Sequence, residues 1–156
     1  MADLVTGSMT GSMTGSVTGS VTGWAHKQLI LDTLEHVANR HGDPTAQIYE
    51  NLFAAHPETR EMFVLDTDFG VRRNMMQNTL EIIVDYCAAE TGETGFALRL
   101  EGNRLNHLGY GVETDMFLEF FSIVAMTLQS LAGDFWTPDH AQAWQQMLTD
   151  FATLPV

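Results

Sequence analysis

The sequence predicts an all-α domain, and three observations carry that prediction. Apolar residues recur near a 3.6-residue spacing from Trp24 to Phe151, with no stretch that alternates as a half-buried strand does. The breaks between these stretches carry helix start and stop signals, among them Asp43-Pro44, Thr137-Pro138 and a glycine at 42, 70 and 133. One stretch, Met116 to Leu131, is apolar almost all round, as a helix central to a core must be.

The elements follow in order. Residues 5–23 are a tetrapeptide repeat of Val/Met-Thr-Gly-Ser type, whose glycines and threonines disfavour a helix. It holds too little apolar surface to offset the entropy of ordering it, and a flexible tail over 1–23 is expected. The domain proper is expected over 24–156. Trp24, Ile30, Leu31, Leu34, Val37 and Ala38 predict a first amphipathic helix that closes on Arg40-His41-Gly42. Asp43 as N-cap and Pro44 at the first position open a second helix through Ile48, Tyr49, Leu52 and Phe53. His56-Pro57 forces a new start, and a short third helix closes on Met62-Phe63. After a loop over 64–70, a helix runs from Val71 to Ala88, with Met75, Met76, Thr79, Ile82, Ile83 and Tyr86 on its apolar side. A second loop spans 90–95, and Phe96 to Asn106 forms a helix ending at His107. Glu113-Thr114 caps the apolar helix, and the last one carries Ala141, Ala143, Trp144, Met147, Leu148 and Phe151. The expected total is about seven helices.

Composition narrows the function. Seven basic and twenty acidic residues give a net charge of −13, which argues against nucleic acid and against an anionic membrane surface. Cys87 is the single cysteine, so neither an internal disulfide nor a zinc–thiolate cluster can form. Its apolar helical neighbours predict a small buried side chain. No signal pattern is present and no apolar run is expected to reach the length of a membrane span, so a cytoplasmic protein is expected.

The chemistry is expected in Gly102-Asn103-Arg104-Leu105-Asn106-His107-Leu108-Gly109-Tyr110-Gly111-Val112. A histidine at a helix end can be a simple cap, satisfied by the last carbonyls and the helix dipole. It can equally ligate a metal. Nine methionines and nine phenylalanines suit a large flat apolar ligand, with one imidazole holding its iron; the same residues also serve as ordinary core.

Three segments carry a resemblance that bears on the choice. His56-Pro57-Glu58-Thr59-Arg60-Glu61-Met62-Phe63 is similar to the segment leading into the haem pocket of myoglobins. His107-Leu108-Gly109-Tyr110-Gly111-Val112 resembles the proximal segment of bacterial globins. Leu131-Ala132-Gly133-Asp134-Phe135-Trp136-Thr137-Pro138, followed by Ala143-Trp144, resembles the start of their last helix. The chain thus resembles a bacterial single-domain globin, akin to the globin domain of flavohaemoglobins, over Trp24 to Phe151.

That resemblance implies haem b with His107 as the iron ligand and Phe63 wedged against the porphyrin. Met75, Met76, Tyr110, Val112 and Phe117 would also contact the cofactor, and Asn103 or Asn106 would orient the His107 ring. On the distal side it implies Tyr49 as a hydrogen-bond donor to a bound gas, with Phe53 packed behind it and Arg72 at the pocket mouth, paired with ligand or a haem carboxylate. The implied function is reversible binding of dioxygen or another diatomic gas. Flavohaemoglobins append a flavin reductase domain and place a tyrosine and a glutamate around the proximal histidine. Here Phe117 stands at the tyrosine's place and the sequence ends before the glutamate's. Nitric oxide dioxygenation with a separate reductase is the enzymatic alternative, a gas or redox sensor the third. Dimerisation through the last two helices is left open.

Overall fold

In the computed structural model, residues 23–90 and 92–154 are described. The Thr-Gly-Ser repeat expected to be a flexible tail lies outside them, apart from Gly23. Among the described residues there are six α-helices, two short 3-10 helices and no strand. The helices are α1 (Gly23–His41), α2 (Thr45–Ala55), α3 (Gly70–Ala88), α4 (Gly95–Gly109), α5 (Thr114–Ala132) and α6 (Pro138–Thr153). The 3-10 helices are Pro57–Phe63 and Gly133–Phe135.

The apolar helix α5 is the centre of the packing, touching α1, α2, α4 and α6. Phe117, Phe121, Val124 and Leu128 recur three or four residues apart and are all buried. By length and composition alone Thr114–Phe135 is long and apolar enough to cross a membrane, which corrects the expectation that no run is long enough. Its apolar face is instead covered by the neighbouring helices.

Helix α1 lies across α3, α5 and α6, burying Ile30, Thr33 and Val37. The Trp144 indole on α6 is buried and donates to the Thr33 hydroxyl at 3.3 Å, which pins the two helices in register. Trp24 and Ala38, expected on the apolar stripe of α1, are exposed, because the stripe turns away from its neighbours at both ends. Gly42 takes φ +72°, the left-handed position that ends a helix, and returns its N–H to the Ala38 carbonyl.

Helix α2 begins one residue later than expected. Pro44 is the cap position, and Asp43 Oδ1 accepts from both the backbone N–H and the hydroxyl of Thr45. Asn51 Nδ2 donates to Thr127 Oγ1 at 2.8 Å and ties α2 to α5. The expected third helix is a 3-10 turn, tightened by Thr59, whose backbone N–H and hydroxyl both donate to the His56 carbonyl.

Helix α3 starts at Gly70 and receives its cap from a distance. The buried Asp66 carboxylate accepts from the N–H groups of Val71 and Arg72. It also accepts from Arg72 Nε at 2.8 Å, while Arg72 Nη2 donates to the Asp66 carbonyl. The Arg72 guanidinium stacks over the Phe69 ring at 3.7 Å, and Phe69 holds a left-handed φ of +63° that a non-glycine residue rarely adopts.

Candidate functional site

Helices α2, α3, α4 and α5, with the 3-10 turn at Pro57–Phe63, leave a cavity of about 700 Å³ between them. That is the size of a cleft built for an organic cofactor. The walls are apolar: Leu52, Phe63, Met75, Ile82, Val112, Met116, Phe117, Phe120 and Phe121 all face it.

His107 enters this cavity from the last turn of α4, which runs to Gly109, three residues beyond the expected end. Gly111 at φ +83° ends the helix, and the N–H groups of Tyr110 and Val112 both return to the His107 carbonyl. That turn folds Val112 back against the cavity. The His107 ring is fixed by a bond of 2.8 Å from Nδ1 to the Asn103 carbonyl. A carbonyl can only accept, so Nδ1 carries the proton and Nε2 of the neutral ring keeps its lone pair. Asn103 therefore orients the ring through its backbone, while its side-chain amide donates to the Arg99 carbonyl. Phe117 packs against the imidazole with centroids 5.0 Å apart.

Tyr49 lines the cavity from α2 and is 1 % exposed, with no hydrogen-bond partner for its hydroxyl among the described residues. Burial pushes its pKa well above that of a free phenol, so the group remains a donor at any physiological pH. The rings of Phe53, Phe63 and Phe120 surround it at centroid distances of 6.1, 5.2 and 5.5 Å. A buried hydroxyl without a partner carries an uncompensated desolvation cost, which a ligand in the cavity can remove.

The structure brings Tyr49, Phe63, Met75, His107, Tyr110, Val112 and Phe117 to one cavity, and Phe53 behind Tyr49. Two expected residues are elsewhere. Met76 is 2 % exposed in the core, one helical step round from the cavity face. Arg72 is held by Asp66 and faces a separate groove with Phe53, Arg60 and Phe63, because capping α3 turns its side chain away from the mouth. The polar groups that α3 does present are Thr79, expected on its inward side, and Asn74 and Asn78, which were not expected. Val71, Asn74, Met75, Asn78, Thr79 and Ile82 form one stripe at helical spacing, a signal readable from the sequence once Val71 is placed on it.

A helical domain whose mostly apolar cavity is lined by one imidazole and one buried phenol fits an iron porphyrin. The apolar lining would suit the porphyrin faces, and the imidazole could hold the iron. The sequence model of the globin family matches residues 46–153, and the chain belongs to the globin family, a family of haem-binding proteins. No curated protein and no solved structure gives a match to the chain.

Proposed function

We propose that this globin binds haem b, that His107 Nε2 would hold its iron, and that the Tyr49 side of the cavity would receive a diatomic gas, dioxygen foremost. The observation that carries the reading is the pairing, in one cavity, of an imidazole whose Nδ1 is held by a carbonyl and a buried hydroxyl with no partner among the described residues. When bound, haem supplies an iron with one coordination position open to such a gas.

The protein supplies the rest. Tyr49 donates a hydrogen bond to a gas that carries partial negative charge, and its raised pKa keeps the proton in place. Phe63, Ile82 and Phe120 exclude water, which would otherwise compete for that donor. On the other side, the Nδ1 proton of His107 is held by a backbone carbonyl rather than a carboxylate. The ring therefore gains none of the electron-rich character that a carboxylate partner would lend it and that favours O–O cleavage, which supports reversible binding over oxidative turnover.

The test is resonance Raman spectroscopy of the haemin-reconstituted, reduced protein. An iron–histidine stretch is expected, lost in His107→Gly and restored by added imidazole. A stretch that survives in His107→Gly would assign the axial bond to another residue.

A further inference from the structure

The cavity contains no formal charge. Among the described residues that line it there is no aspartate, glutamate, lysine or arginine. The chain has only seven basic residues, and the structure places all of them elsewhere. Lys27 donates to the Ala89 carbonyl, Arg60 pairs with Glu50, Arg72 with Asp66, and Arg73 donates to the Asp68 carbonyl. Arg99 pairs with Glu81 and Asp85, Arg104 with Glu101, and Arg40 lies in the last turn of α1. In contrast, four of the six asparagines in the chain line the cavity: Asn74 and Asn78 on α3, Asn103 and Asn106 on α4. Asn74 and Asn106 are exposed, as is Tyr110, so these residues form the rim. The side chains of Asn74, Asn78 and Asn106 make no hydrogen bond to one another or to any other described residue.

A haem brings two carboxylates, and their charge strongly favours the wet edge of a cleft over its apolar floor. We infer that in this protein the carboxylate edge of the porphyrin is received by asparagine amides, Asn74 and Asn106 foremost, and not by cations. This inference rests on the proposal that the cavity holds haem. Amide N–H groups satisfy carboxylate oxygens by direction and distance, so they recognise the group with little net Coulomb attraction. In a chain of net charge −13 the long-range field opposes a dianionic ligand, and added salt screens that repulsion. The site is thereby selective for the shape of the porphyrin and tolerant of the charge at its edge.

Absorbance titrations of the full chain with haemin and with haemin dimethyl ester, in the same cosolvent, test this. The ester keeps the acceptor oxygens and removes the charge. The two affinities are expected to agree within about three-fold, the scale of an exposed charge contribution. Haemin affinity is expected to stay level or rise between low and high sodium chloride. In Asn74→Ala/Asn106→Ala, both at exposed positions, haemin and ester are expected to weaken in parallel by about ten-fold, as for lost hydrogen bonds. An ester bound at least about thirty-fold more weakly than haemin, together with an affinity that falls steeply with salt, would show a cation at the edge and overturn the inference. An unchanged double variant would also overturn it. If neither porphyrin binds, the haem proposal itself fails; if haemin alone binds, only the inference does.

Discussion

Replacing Tyr49 by phenylalanine removes one oxygen atom and little else. The ring is buried and held by Phe53, Phe63 and Phe120, contacts that a phenylalanine keeps. In the cofactor-free protein the hydroxyl is buried without a partner among the described residues, so its removal should relieve a desolvation cost and stabilise the fold by about 1 to 2 kcal/mol. For a domain of this size that is a rise of a few degrees in melting temperature. In the gas-bound protein the same hydroxyl donates to a ligand with partial charge, and its loss should cost about 1.5 to 2.5 kcal/mol. Dioxygen release should then quicken by roughly 10- to 50-fold. The two effects have opposite signs, which sets this variant apart from one that merely loosens the core. Urea unfolding of the cofactor-free protein reads the first, and stopped-flow dioxygen displacement by carbon monoxide reads the second. A variant that is less stable without cofactor, and releases dioxygen at the parental rate, would refute the reasoning on both counts.

Three further outcomes are expected. Thr33→Val leaves the buried Trp144 indole N–H without its acceptor and should lower unfolding stability by about 1 to 3 kcal/mol at nearly unchanged volume, as read by urea denaturation. Burial pushes the Cys87 thiol up to about 12, so a disulfide reagent at pH 8 should label it only at the rate of unfolding; prompt labelling would contradict its burial. His56 bridges Glu119 and Glu58, and hydrogen bonding to Glu119 is the main reason its pKa is raised above 6.5. A raised folded-state pKa gives stability that is complete below the unfolded value and is lost as pH rises through the folded one. Denaturation midpoints should therefore fall with pH from about 6.5 upward, and His56→Gln should flatten that slope.

The fold was legible where sequence signals are local. Prolines at 57 and 138 and the glycine at 42 mark true boundaries, and the near-continuous apolar run of α5 identifies the helix at the centre. The resemblance implies roles for His107 and Phe63 through their segments and for Tyr49 through its offset from Phe63, and the structure brings all three to one cavity. The position of Arg72 was not legible, because it depends on Asp66, six residues away in a loop, capping α3 and holding the guanidinium in the same contact. Asn74 and Asn78 carry no charge and belong to no motif, so only their shared helical face with Val71 and Met75 marks them. Trp24 shows that an aromatic at the end of a helical stripe need not be buried, since at the start of α1 it is exposed among the described residues.

The most direct test of the central claim is the visible absorption spectrum of the purified, dithionite-reduced protein, with and without carbon monoxide, beside that of His107→Ala. The account predicts a Soret band that shifts on adding carbon monoxide in the parent protein, and no stable haem band in the variant. A parent protein that takes up no haemin, or a variant that retains a full haem complement with the same spectrum, would contradict it.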